Sequence, residues 1–226
     1  LIHKLEKDGG VWFARGGTGK LIAGMVALFE RIGGTLRLGD PVAAIDMVGD
    51  RATGVRCKSG WSAQADAVAS NADLMHSYRD LLSGHLRGTR QAVSLTLKKW
   101  SPSLFVLHFG IKGTWPGIPH HMILFGPRYK GLLTDLYQHG VLPQDFSLYL
   151  HHPSVTDPGM APEGCSTFYA LAPVPHMGKL PIDWEQMGPV FAERILDEVE
   201  RRLIPDLRGR IMTQFHYAPP DFVHDL

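Results

Sequence analysis

A glycine-rich segment at residues 16–20, GGTGK, has residue types that could bind a phosphate group. A P-loop requires the pattern G-x-x-x-x-G-K-[ST], in which the Lys contacts the phosphates and the hydroxyl binds Mg²⁺. Here Ala14 replaces the first Gly and Leu21 replaces the hydroxyl residue. No G-x-G-x-x-G dinucleotide pattern runs through the segment either. We therefore predict that Gly16 and Gly17 form a tight turn. Its backbone should come close to another part of the structure, but it should not bind phosphate as a P-loop does.

Two adjacent histidine pairs, His120-His121 and His151-His152, offer imidazoles that could bind a metal ion. Neighbouring side chains on a strand point to opposite faces, so neither pair can chelate one ion unaided. No H-E-x-x-H or facial-triad spacing accompanies them, and no G-x-S-x-G nucleophile elbow is present. We therefore predict no metal site, and the sequence identifies no catalytic residue.

The composition of the 226 residues, 44% hydrophobic and 20% charged, is that of a globular protein. The formal net charge is +1 and no basic run exceeds two residues, which argues against nucleic-acid binding. Cys57 and Cys165 have no CxxC spacing, so two reduced thiols are expected. No apolar run has the roughly 18 residues that a membrane-spanning helix needs.

The first part of the chain predicts a helix followed by short strands. Apolar residues recur at helical spacing over residues 19–31, between Thr18 as a candidate N-cap and the helix-ending pair Gly33-Gly34. β-prone stretches bounded by turn residues then predict strands at 35–38, 43–48, 53–58 and 65–70. This pattern is an α/β unit with an antiparallel meander.

The second part predicts a sheet backed by helices, which makes the overall fold class α/β with mixed α+β character. A helical turn around 78–82 precedes the polar stretch 83–90, which is the candidate domain crossing. A long helix is expected at about 184–203, with Asp183 as its cap. Helix 129–138 interrupts predicted strands at 104–111, 122–125, 146–151, 166–172 and 211–217. Strand 104–111 is apolar on both faces, so it should be central.

An ordered series of motifs runs over nearly the whole chain: GGVWFARGGTGKLIAGM, ASNADLMHSYRDLL, SLFVLHFGI, FGPRY, QDFSLYLHHPSVTDP and APEGCSTFYALAPVPHMG. In this order the series resembles the bacterial-type phytoene desaturases. These are FAD-dependent carotenoid desaturases of the amine-oxidase-like flavoprotein group. The order of FGPRY, TDP, APEG and LAPVPH is the most specific part.

The resemblance implies a domain organisation. Residues 1–82 would be the middle part of a Rossmann-like FAD-binding domain, and residues 83–226 a substrate-binding domain with a mixed sheet. Members of the family carry glycine-rich flavin segments near both termini, and this sequence has neither. We therefore expect a central fragment of a longer enzyme that is inactive by itself.

The resemblance also suggests residues near the cofactor. Val42 matches the segment that offers backbone groups to the adenine end of FAD, although it could equally pack in a core. Small residues around Asn71 allow a backbone to lie close to a cofactor or to a helix. Arg15 could face the flavin or the tunnel mouth, or could pair with a carboxylate, while Gly16 and Gly17 would shape the turn beside it.

The family reaction desaturates phytoene, a linear C40 polyene, towards lycopene: a hydride leaves an allylic carbon for the flavin and a proton leaves the neighbouring carbon. Such a substrate has no polar handle and would need an apolar tunnel. Candidate lining residues are Phe105, Leu107, Phe109, Leu148 and Tyr149. Because strand side chains alternate, only one face can line the tunnel, and the sequence leaves open which one.

A polyene dissolves in the bilayer, so the resemblance implies peripheral association with the cytoplasmic side of a membrane. Two other functions stay open. One is a carotenoid isomerase or oxygenase with the same scaffold, and the other is a non-catalytic lipid-binding module. The oligomeric state is also left open.

Overall fold

The computed structural model describes residues 2–142, 144–145 and 147–225, and of Ile2 and His3 the backbone only. The chain forms two compact units, one made of Leu1–Met25 with Ser101–Leu226 and the other of Val26–Trp100. These limits differ from the predicted boundary between residues 82 and 83. The assignment of each region to cofactor or substrate therefore stays a prediction.

Two helices open the chain, α1 (Ile2–Gly9) and α2 (Thr18–Arg31). The predicted helix at 19–31 is confirmed, and it ends as expected because Gly33 adopts φ +94° while the Gly34 N–H donates to the Phe29 carbonyl at 2.9 Å. None of the α2 residues is buried, although its apolar stripe is long.

The unit Val26–Trp100 contains a small antiparallel sheet in the order β1-β2-β3. Its strands are β1 (Val42–Val48), β2 (Arg51–Cys57) and β3 (Ser62–Gln64). The predicted strands at 35–38 and 65–70 do not form, and Leu38 is exposed. Three helical segments follow: α3 (Leu74–His76), a π-helical turn (Ser77–Leu81) and α4 (Leu86–Thr96).

The unit that contains the C-terminal half is built on a five-stranded sheet. Its strands are β4 (Ser103–Lys112), β5 (His121–Leu124), β6 (Leu148–His151), β7 (Cys165–Val174) and β8 (Ile211–Tyr217). They lie in the order β5-β6-β7-β4-β8, and all their pairings are antiparallel, so the sheet expected to be mixed is antiparallel among the described residues. The strand predicted at 104–111 corresponds to β4, which is an interior strand as predicted because it pairs on both sides.

Helix α6 (Trp184–Arg202) closes one face of this sheet. It begins where predicted, because the Asp183 carboxylate accepts hydrogen bonds from the backbone N–H groups of Glu185 and Gln186. Phe191 packs edge-on against Phe105 with ring centroids 5.0 Å apart. The core that results contains Leu107, Phe109, Leu148, Leu150, Phe168, Ile195 and Val199, each 0–2% exposed.

Shorter helices complete the molecule. α5 (Tyr129–Thr134) continues into a π-helical turn (Asp135–His139), which confirms the predicted helix at 129–138. α7 (Pro219–Asp225) follows the last strand, and 3₁₀ turns occur at Pro153–Val155, Pro158–Met160 and Arg208–Arg210. Within the described residues no helix has both the length and the apolarity needed to cross a bilayer.

The core packing predicts the effect of removing a fully buried ring of α6. Phe191→Ala should lower the free energy of unfolding by about 3–5 kcal/mol, because the cavity it leaves is lined by close-packed side chains. The neighbouring Val190→Ala is the control, since that side chain is 48% exposed and should change stability by less than about 0.5 kcal/mol. Urea unfolding checks both values. Equal losses in the two variants would contradict this account of the core.

Candidate functional site

The face of the five-stranded sheet turned away from α6 carries a layer of ring side chains. We call it the aromatic face. His108 lies in its centre, stacked on Phe215 at 4.7 Å and tilted against Tyr169 at 5.4 Å. Strand alternation produces this layer, because the neighbouring residues in each strand point into the core. On strands β4, β6, β7 and β8 it consists of His108, Tyr149, His151, Tyr169, Phe215 and Tyr217, and His121 of β5 lies beside it on the same face.

The aromatic face carries no net charge near neutral pH. Burial lowers the pKa of His108, and burial together with the neighbouring His120 and His121 lowers the pKa of His151 to about 4. Burial, assisted by Tyr169, raises the pKa of Tyr149 above its usual range. Both imidazoles are therefore neutral and the phenol is protonated, so the rings present polar tips without ionic charge.

A groove of about 320 Å³ opens beside His108 and Phe215 at the β4–β7–β8 part of this face. Its thirteen lining residues include no Asp, Glu, Lys or Arg. Met160 and Met212 supply flexible apolar walls. The groove suits an uncharged, elongated apolar group better than a polar metabolite.

The glycine turn is held from across the chain. Gly16 and Gly17 have φ values of +81° and +79°, which confirms the predicted turn. The Gly16 N–H donates to the Asp157 carboxylate at 2.7 Å, and the Gly17 N–H donates to the Ala14 carbonyl at 2.9 Å. The other Asp157 oxygen accepts from the Gly159 N–H at 3.2 Å. Asp157 thus ties the turn to a 3₁₀ segment 141 residues away, a contact that no local pattern predicts.

The remaining cofactor candidates occupy separate places. Arg15 is exposed, and within the described residues it forms no ion pair, so the carboxylate partner expected for it is not found. Val42 starts β1 and is exposed, as is Asn71 after β3. These two belong to the unit Val26–Trp100, whereas Arg15, Gly16 and Gly17 belong to the other. Their contact with a cofactor stays a prediction.

The proposed tunnel residues divide between the two faces of the sheet. Phe105, Leu107, Phe109 and Leu148 are 0–2% exposed and fill the core beneath α6. Only Tyr149 lies on the aromatic face. Side chains packed this closely leave no space for a substrate between them, so a tunnel lined by all five would require α6 to move away. The tunnel lining stays a prediction, and the geometry favours the opposite face.

The two histidine pairs, considered one at a time in the sequence, come together in the structure. His121 and His151 are cross-strand partners on β5 and β6, and His120 precedes β5 directly. The Nε2 atoms of His120 and His151 lie 2.8 Å apart. Only cross-strand register brings these three imidazoles together.

Comparison with known proteins identifies the family of the chain. The family described as flavin containing amine oxidoreductase matches residues 1–173. The chain belongs to this family. Phytoene desaturases (lycopene-forming) are 56% identical over 226 residues in Paracoccus sp. and 48% identical over 225 residues in Pseudescherichia vulneris. The whole chain is covered in both cases, but only 45% and 46% of those proteins.

A similar fold occurs in an oxidoreductase from Methanosarcina mazei, with a TM-score of 0.63 at 15% identity. That match covers 90% of this chain and 42% of the other. The chain thus spans somewhat less than half the length of the relatives it matches.

The residues of this chain fit a flavin dinucleotide only in part. The sheet offers an uncharged face, but both amides of the Gly16-Gly17 turn already donate to protein acceptors. They are not free for a phosphate, which a dinucleotide needs at its glycine-rich loop. In this structure the turn therefore does not present these two amides to a phosphate.

The Asp157 contact predicts a local effect on the glycine turn. Asp157→Ala removes both acceptor oxygens, so amide exchange at Gly16 should accelerate at least about tenfold, as a lost charged hydrogen bond implies. Hydrogen–deuterium exchange of the segment 14–20 measures this change. Glu163→Ala is the control, because this nearby exposed carboxylate should leave the segment unaffected. Unchanged exchange in Asp157→Ala would show that the turn keeps its conformation without the hydrogen bond to Asp157.

Proposed function

We propose that this chain is the central part of an FAD-dependent phytoene desaturase, which inserts double bonds into a linear C40 polyene towards lycopene. The lycopene-forming relatives at 48–56% identity support this proposal. The observation in the structure that favours it is the uncharged aromatic face with its apolar groove. Neither a carotenoid isomerase nor an oxygenase has an observation here in its favour.

The aromatic face would bind the polyene by surface burial. Each Å² of apolar surface removed from water contributes about 25 cal/mol, so an extended C40 chain can bind tightly without a hydrogen bond. Rings whose centroids lie 4.6 to 5.8 Å apart, tilted against one another by 40–53°, form a continuous layer. Because His108 and His151 are neutral, the face desolvates without the cost of burying an ion.

The flavin would accept the hydride in this reaction. The protein would orient the substrate and exclude water from the site of hydride transfer. The residues of this chain hold the substrate and exclude water around it. Segments of the longer protein would hold the phosphates of FAD, since the Gly16-Gly17 turn does not. The apolar stripe of α2, with Leu21, Met25 and Phe29 each 45–60% exposed, is a surface that such a segment could cover.

We further propose that the complete enzyme associates peripherally with the cytoplasmic side of a membrane. The support for this is chemical, since phytoene partitions into the bilayer and must enter the protein from there. The exposed apolar side chains of the chain are compatible with such an arrangement.

The deciding experiment compares this chain with a version extended at both ends by its native flanking sequence. After incubation with FAD, the extended protein should show a bound-flavin absorbance spectrum and convert phytoene to products with a longer chromophore. The isolated chain should do neither. Lack of flavin binding by both proteins, combined with polyene binding by the isolated chain, would support the non-catalytic lipid-binding function instead.

The substrate surface is tested in the extended protein with two matched phenylalanines. Phe215 lies on the aromatic face at 55% exposure, and Phe125 follows β5 at 56% exposure. Phe215→Ala should lower kcat/KM for phytoene about tenfold, which corresponds to the lost burial of one ring. Phe125→Ala should leave it unchanged. Equal effects would exclude the aromatic face as the binding surface.

Membrane association is tested by liposome flotation of the extended protein. We expect most of it to float with the vesicles, because the polyene path must open towards the lipid. A water-soluble enzyme of unrelated sequence, which has no affinity for vesicles, is the control and should stay at the bottom of the gradient. If the flavin-loaded, active protein stays at the bottom of the gradient, the membrane proposal is wrong while the desaturase proposal stands.

A further inference from the structure

We propose that His120, His121 and His151 form a binding site for one late first-row divalent metal ion, with Zn²⁺ as the representative ion. One ligand nitrogen of each lies within 4.8 Å of the others. Neutral imidazole is a preferred ligand of Zn²⁺, Ni²⁺ and Cu²⁺, and three imidazoles form a known type of zinc site. Neither the family nor the relatives' names assign a metal. The site shares His151 with the aromatic face, but the observations that support it do not depend on the desaturase proposal.

The backbone fixes two of the three ligands. His121 and His151 are directly opposed across β5 and β6, on the same face of the sheet. The third ligand is fixed by a backbone bond next to the strand end, because the His152 N–H donates to the His120 carbonyl at 2.8 Å. The ligands therefore come from a rigid scaffold and not from a mobile loop.

Hydrogen bonds at the other ring nitrogens orient the imidazoles. The Nδ1 of His120 lies 2.6 Å from the Thr156 hydroxyl, and the Nδ1 of His121 lies 2.5 Å from the Tyr149 hydroxyl. When these Nδ1 atoms carry the proton, both Nε2 lone pairs are free to face a metal. Such outer hydrogen bonds are a regular feature of metal-binding histidines.

The Nε2 atoms of His120 and His151 face each other directly. They lie 2.8 Å apart, and among the described residues the Nε2 of His151 has no other hydrogen-bond partner. Two neutral imidazole nitrogens in this arrangement share at most one proton. A metal ion bound by both Nε2 lone pairs would take the place of that proton, after a small outward movement of the rings that allows Zn–N distances of about 2.0–2.1 Å.

A neighbouring ring encloses part of the cluster, and another part is exposed. The Phe13 ring packs against His120, with ring centroids 4.5 Å apart. His121 is exposed, so solvent reaches the cluster there. Three protein ligands and access to solvent leave the fourth position to water.

The test uses the full chain, freed of metal with a chelator and titrated with ZnCl₂ by isothermal calorimetry at neutral pH. We expect one Zn²⁺ per chain. His151→Ala and His121→Asn should each weaken binding at least about tenfold. Thr156→Val, which removes only the outer hydrogen bond, should weaken it about tenfold. His139→Ala, an exposed histidine outside the cluster, is the matched control and should bind as the unaltered chain does.

Circular dichroism of each variant ensures that only folded proteins are compared, and His121→Asn alters an exposed side chain that the core does not need. A folded chain without saturable Zn²⁺ binding would overturn the proposal. So would binding that His121→Asn, His151→Ala and Thr156→Val leave unchanged, since the ion would then sit on other histidines.

Discussion

Burial of the α6 stripe against one face of the five-stranded sheet is the interaction on which the rest of the structure depends. Phe191, Ile195 and Val199 are fully buried there. Because strand side chains alternate, placing Leu107 and Phe109 in this core commits His108 to the opposite face. The same rule sends Tyr149 and His151 outward when Leu148 and Leu150 point inward. A one-residue slip of a strand would exchange the two sets, so core packing fixes the candidate site.

The elements that the sequence predicted correctly have strong local signals. Helix α6 has an Asp cap and a regular apolar stripe, and α2 ends at paired glycines. Helix α4 was missed because Gly88 and its polar neighbours suggested a linker. In the structure Gly88 is a close-approach residue: a Cβ there would lie 2.4 Å from the Leu82 carbonyl. Its partners Ala92 and Leu95 follow at helical spacing, a signal that the sequence did contain.

The candidate site was less predictable because the most apolar residues of the strands are buried in the core, whereas the exposed face carries less apolar rings. The apolar character of Phe105, Leu107 and Phe109 predicts a substrate tunnel and a hydrophobic core equally well, and in an interior strand such residues fill the core first. The exposed face uses rings with polar tips, which a search for apolar residues passes over. The histidine cluster joins His151 to residues about 30 positions earlier, and the Gly16–Asp157 hydrogen bond joins residues 141 positions apart. Only the tertiary structure brings these residues together.

One physical property of imidazole would allow the sheet to carry both the proposed polyene surface and the proposed metal site. Imidazole is the one ionisable side chain that burial readily neutralises near pH 7, so it can lie beside an apolar ligand and can also donate a lone pair. The groove lies at β4, β7 and β8, whereas the three histidines lie at the edge formed by β5 and β6. A dication bound there would face solvent through His121, and the central strands would stay uncharged. Separation across the width of one sheet would thus let a single layer of rings bind an apolar substrate at one end and a metal ion at the other.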